Sequence, residues 1–394
     1  MRPRHTRRRG TLTAAAATLV TFCAAQTLAA APAAFAAPAP DPAAARAAHA
    51  HSATASAVTS AQDRAARAIA RSLGDASWNT RLRTAALTSH EVPVTRRADG
   101  ALKSQLAAAD RQIAQAKGLD AKTGSLLQLR LGDPSMRAAL AAGTAPWVAA
   151  AVSDDDATTV TAYDSRGRAH RLDARTTPAH PVYVVDVDSS KALAAGMDVL
   201  REELVKDGVP SAAPVAVNTA HTAATPKAAA TAGYWTTKIT AVELSDDEEP
   251  WIKGAAEIYT LVSGFGQDGK VRVDPVDMPY LDYDGTVYKP NQILVNWSNY
   301  KYNLADAVMM EEDGSTNYRD LAKAIATALL TITDQGTYIP LVNAILDAIP
   351  DDWWTDDPDY VDSWYTLAQS NQGTYYGARG NGWMTVEPYF VQQF

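Results

Sequence analysis

The chain has 394 residues, 47% of them hydrophobic and 20% charged, with a formal net charge of -8. That is the make-up of a globular protein long enough for two domains, and it excludes collagen-like, coiled-coil and wholly disordered chains. The acidic balance argues against nucleic-acid binding, which needs a basic footprint. The single cysteine, Cys23, falls in a segment expected to be removed. The mature chain is then left without a disulfide, a thiolate nucleophile or a Cys-ligated zinc.

Residues 1–36 read as a signal peptide. Arg2, Arg4, Arg7, Arg8 and Arg9 form a basic start, an Ala-rich apolar stretch follows, and Ala34-Phe35-Ala36 fits a small-x-small cleavage site. The segment from Thr6 to Gly10 also resembles a twin-arginine signal, so either export route is open. Thr21 and Phe22 ahead of Cys23 rule out a lipoprotein motif. No stretch reaches membrane-spanning length, so the protein is expected to be secreted and extracellular without a membrane span.

Residues 37–51 are Ala/Pro-rich and are expected to be disordered. An α+β domain is expected over 52–209. Ala65, Ala66, Ile69, Ala70 and Leu73 share one helical face, and a second helix is expected near 101–117. Strands are expected at 146–152, 158–163, 168–173 and 181–187, with a turn at Asp164–Gly167. A helix over about 190–206 should stop at Gly208. Residues 210–232 are Ala/Thr/Pro-rich without an aromatic and read as a linker.

The chemistry changes near Gly233. Residues 233–394 hold 9 Lys/Arg against 25 Asp/Glu, and 24 of the 30 aromatic residues. All seven histidines precede this point. Strands at 237–244, 255–262, 293–302, 305–310 and 383–391 suggest a β-sandwich. One helical segment interrupts it, marked by Tyr318, Leu321, Ile325, Leu329 and Ile332 and capped by Ser315 or Thr316. The overall expectation is an α+β chain: a small helical/α+β N-terminal domain, then a C-terminal β-sandwich over 233–394 with that inserted helix.

Acidic runs sit at the strand ends: Asp246 to Glu249, Asp282 and Asp284, Glu311 to Asp313, and Asp351 to Asp362. Carboxylates repel unless a cation or solvent separates them, and converging loops of this kind suit Ca²⁺. With no His or Cys nearby, transition metals lack their usual ligands. The candidate calcium ligands are Asp246, Asp247, Glu249, Asp282, Asp284, Glu311, Glu312 and Asp313. The alternative is a set of solvated loops that keep a secreted protein soluble.

The pattern ITAVELSDDEEPWIKGAAEIY, MPYLDYDGTVYKPNQILVNW and DAVMMEEDGSTNY resembles secreted bacterial proteins grouped as domain of unknown function 3103. That resemblance implies no activity. More loosely, strand, acidic loop, strand and a late VMMEED segment are similar to C2 β-sandwiches, which implies calcium held by loops at one end.

Nucleophilic catalysis has little to stand on: there is no G-x-S-x-G, no H-E-x-x-H and no phosphate loop. His90, His170 and His180 are the candidate bases, and each reads first as a surface or turn residue. Two readings stand. The first is a calcium-stabilised extracellular binding module whose ligand is unknown, with a carbohydrate or a cell surface as candidates and Trp353 and Trp354 as candidate contacts. The second is an extracellular glycoside-type hydrolase using paired carboxylates.

Overall fold

The computed structural model describes residues 42–152, 157–212, 233–245, 251–253, 256–283, 285–312, 316–349 and 360–392, with side chains from residue 53 onward. The signal segment and most of the 210–232 stretch lie outside these residues.

The first half opens with α1 (Pro42–Ser72), which starts inside the stretch expected to be disordered. Alanine is the best helix former, and the Ala-rich chain ahead of it simply extends the amphipathic helix read from 61–73. α2 (Ala76–Thr88) follows, its first turn held by Asp75, whose carboxylate accepts from Ser77 N at 2.8 Å and Trp78 N at 3.0 Å. Then come β1 (Glu91–Val92), α3 (Val94–Arg97), α4 (Gly100–Ala116), β2 (Leu127–Leu131), α5 (Arg137–Ala141) and β3 (Trp147–Ala150). A hairpin of β4 (Thr159–Tyr163) and β5 (Ala169–Asp173) turns where expected: Gly167 N donates to Asp164 O at 2.8 Å. β6 (Val182–Val187) and α6 (Ser189–Lys206) close this half.

The strands form one six-stranded sheet, ordered β1-β2-β6-β3-β4-β5, antiparallel except for the β3/β6 pair. β6 is buried on both faces. Tyr183, Val185 and Val187 join the helical core, while Val182 and Val184 pack with Ala149, Ala162 and Met136 on the other side. Two buried faces explain why its sequence reads as an unbroken apolar run.

The second half holds β7 (Gly233–Leu244), β8 (Ile258–Phe265), β9 (Val271–Met278), β10 (Gln292–Asn296), β11 (Leu304–Glu311), α7 (Tyr318–Leu329), α8 (Val342–Ala348), β12 (Tyr360–Ala368), β13 (Gly373–Tyr376) and β14 (Gly382–Gln392). An outer sheet β10-β7-β14-β13 faces an inner sheet β12-β11-β8-β9. Their shared core includes Ile239, Val242, Val262, Ala307, Met309, Trp364 and Met384.

Strands β8 and β11 of the inner sheet are covered on both faces, while Tyr365 and Thr366 of β12 stay exposed. The residues that alternate with those core positions, among them Tyr259, Leu261, Phe265, Val308 and Met310, belong to the same hydrophobic cluster as α1, α4, α6, α7 and α8. That cluster runs from Val58 to Ile349, so the two halves share one core. Residues from Pro40 to Phe394 accordingly form a single compact unit. The start of the expected linker is also tied down: Val273 N donates to Pro210 O at 3.1 Å, and Ala212 N to Asp274 Oδ1 at 2.8 Å. Among the described residues, no helix is long and apolar enough to cross a membrane.

Candidate functional site

Strand register decides where the acidic runs can meet. Ile258 at the start of β8 pairs with Met278 at the end of β9 and with Glu311 at the end of β11. Tyr360, which opens β12, pairs with Met310. The outer sheet ends beside them, since Gly285 N donates to Leu244 O at 2.8 Å and Leu281 N to Met278 O at 3.1 Å. The described residues that flank the four acidic runs in sequence therefore lie at one end of the sandwich.

Of the eight named ligands, Asp246, Asp247, Glu249, Asp284 and Asp313 lie outside the described residues. Asp282 is half-buried, and burial raises its carboxyl above the usual range. Glu311 is half-buried at the last pairing of β11. Glu312 points elsewhere. Its Oε1 lies 2.5 Å from Lys117 Nζ, and both side chains are 0% exposed. The loop reading of this residue is corrected by that pair: a buried ammonium already balances the carboxylate, so a cation there would face a like charge. Among the described residues, no three His, Cys, Asp or Glu side chains gather as a metal site.

The ion pair is one part of a seam between the halves. Tyr318, the first residue of α7, seats its ring against Gly196 of α6, where an added Cβ would fall 2.2 Å from the ring. Burial, then the nearby Glu312 carboxylate, raises its phenol well above the ordinary value. The N-cap is Asn317 rather than Ser315 or Thr316: its Oδ1 accepts from Arg319 N at 3.1 Å and Asp320 N at 3.2 Å. Asn317 Nδ2 donates back to Ala116 O at 2.8 Å, crossing the seam. Gly118 makes room for that approach at φ +65°, where a Cβ would meet Asn317 Oδ1 at 2.6 Å. Arg319 pairs with Asp120 at 2.7 Å and with Glu203. Farther along, Arg130 holds Asp186 and donates to the carbonyls of Trp251, Ile252 and Lys253.

Three buried carboxylates of the sandwich are hydrogen-bonded into the framework. Asp274 accepts from Tyr300 Oη at 2.9 Å and Arg272 Nε at 2.8 Å. Asp306 accepts from Leu341 N at 2.5 Å and Thr366 N at 2.7 Å. Asp362 takes four backbone N–H groups, from Ser363, Arg379, Asn381 and Gly382. Trp297 and Trp364 are buried core residues; Trp383 Nε1 donates to Glu243, and Trp251 packs on the N-terminal sheet. Trp353 and Trp354 lie outside the described residues.

His170 and His180 flank Trp147, with ring centroids 4.1 Å and 4.0 Å away, and His170 Nε2 is 3.4 Å from Asp164 Oδ2. His90 is exposed. Burial, with a smaller effect of the neighbouring His170, lowers the His180 pKa.

A family model described as protein of unknown function (DUF3103) matches residues 59–394. No curated protein and no solved structure matches the chain.

Proposed function

The chain belongs to the DUF3103 family, whose description states no activity, and from the geometry we propose that it is an extracellular binding module with calcium held at its acidic end. The observation that carries this reading is the strand register, which brings Leu244, Met278, Glu311 and Tyr360, described residues that flank the acidic runs in sequence, to one end of the sandwich. Ca²⁺ takes 6–8 oxygens in flexible geometry, so carboxylates from separate loops can serve it. Asp282 adds support: it is a half-buried carboxylate whose proton affinity is raised by burial, and a nearby cation would offset that cost to its charged form. The ligand set is then Asp282 and Glu311 together with Asp246, Asp247, Glu249, Asp284 and Asp313. Glu312 drops out because Lys117 already balances it. Binding is favoured over glycoside hydrolysis because Asp274, Asp306 and Asp362 are engaged as framework acceptors. Export through residues 1–36 belongs to the same proposal, and it places the protein where calcium is abundant.

Tyr283, next to Asp282, is 65% exposed and can sensitise Tb³⁺ bound beside it. Full-length protein titrated with Tb³⁺ should show emission under aromatic excitation that Ca²⁺ displaces. The Asp246→Asn, Asp282→Asn pair should weaken that binding at least ~10-fold, since ligand charge sets affinity at such sites. Emission indifferent to Ca²⁺ or to the paired substitution would overturn the reading.

A further inference from the structure

On the first-half side of the seam, a cleft of about 700 Å³ opens between α4, the turn into β2, and the first turns of α7. That is the size of a small-molecule site. Ala107, Ala114 and Leu119 give it an apolar wall. Two hydroxyls line it without a hydrogen-bond partner among the described residues: Thr95 Oγ1, on a side chain 6% exposed, and Ser125 Oγ. Buried polar atoms are normally paired, so each would gain from a ligand group that reached it.

The charges are ordered by depth. Asp110 lies within, 4% exposed, its carboxylate fixed by Leu126 N and Leu127 N at 2.8 and 2.7 Å, both on Oδ1. An ionised carboxylate only accepts, so its Oδ2 calls for a donor. Arg111 follows it on α4, exposed and without an ion pair among the described residues. Lys323 faces it from α7, 3.7 Å from Asp320. Arg319 is already engaged by Glu203 and Asp120. The site thus offers an anion inside and, at the rim, Arg111 and Lys323 with the Asp320 carboxylate beside the lysine. A simple anion would leave Asp110 without a donor, and a simple cation would leave Arg111 unmatched.

We propose that this cleft binds a small zwitterion of the amino-acid class, its ammonium on Asp110 and the two hydroxyls, its carboxylate on Arg111 and Lys323, and an apolar side chain on the alanine wall. The proposal stands without the calcium reading: failure of one leaves the readout of the other intact.

Calorimetric titration of the full chain with L-leucine, leucinamide and 4-methylpentanoate tests it. Leucine should bind, and loss of either charged group should weaken binding at least ~10-fold. Arg111→Gln should weaken leucine by a similar factor while leaving leucinamide unchanged, and Ser125→Ala should weaken both. Unaltered melting curves for these two variants would show that the fold is intact. No binding of leucine up to about 10 mM, equal binding of leucine and 4-methylpentanoate, or indifference to Arg111→Gln would overturn the proposal.

Discussion

Lys117 and Glu312 are 195 residues apart in sequence and fully buried against each other. Breaking such a pair leaves a lone charge in the core, so Lys117→Met or Glu312→Gln alone should each cost about 3–5 kcal/mol, whereas Lys117→Met with Glu312→Leu should be near neutral. Urea unfolding of the three variants measures this; equal costs for single and double variants would refute the pairing. Nothing in the run Glu311-Glu312-Asp313 distinguishes the middle residue as inward-facing, because its partner is remote in sequence. His180 gives a second residue-scale outcome. Its folded pKa lies below the unfolded value, so the neutral form is the one the fold prefers. The stability it contributes is whole above about pH 6.5 and is lost as pH falls through the folded pKa. Carboxylates raised by burial, such as Asp186, Asp277 and Asp306, act in the opposite sense. Comparison of wild type with His180→Asn at pH 7.5 and 5.5 isolates the histidine: the acid-side loss of stability should shrink in the variant.

At the scale of elements, the sequence is most informative where an element has one clean period or, as in β6, an unbroken apolar run between turn signals. α7, β4, β5, β6 and the turn at Asp164 fall where their patterns put them. β9 escaped the reading because Pro275 sits within it, and proline argues against a central strand. The structure resolves this by placing β9 at a sheet edge. β13 is four residues long and likewise an edge. The helix start was misplaced by one or two residues because Ser315, Thr316 and Asn317 can all cap, and only the Ala116 carbonyl across the seam selects Asn317. Asn317→Ala removes the cap and that cross-seam bond together and should cost about 1–3 kcal/mol. Asp362→Asn halves the acceptor capacity that holds the 377–382 turn. Hydrogen exchange should rise at Arg379, Asn381 and Gly382 before the rest of the sheet; uniform protection would mean that the turn holds without the carboxylate.

At the scale of the molecule, the shift in charge and aromatic content near Gly233 coincides with the start of β7. It marks a change of architecture, but composition carries no information on whether the inner sheet keeps a solvent face. In an isolated 233–394 fragment Tyr259, Leu261, Phe265, Val308 and Met310 would keep α7 and α8 but lose the cover that α1, α4 and α6 supply, so the fragment should lose cooperative unfolding. A sharp, reversible transition in that fragment would contradict the shared core. The acidic character of the sandwich was fully legible in the sequence; the meeting of its strand ends depends on register and was not. Calorimetry of the full chain in EDTA, Ca²⁺ and Mg²⁺ at matched ionic strength tests the central claim most directly. For extracellular sites with Kd of roughly 10⁻⁴–10⁻³ M, about 10 mM Ca²⁺ adds on the order of 1.4–2.7 kcal/mol. In a chain of this length that is a rise of about 2–4 °C in a single transition. Mg²⁺ should give less, because it demands tighter octahedral geometry and keeps its waters. Coincident curves in all three solutions would contradict calcium binding at the acidic end.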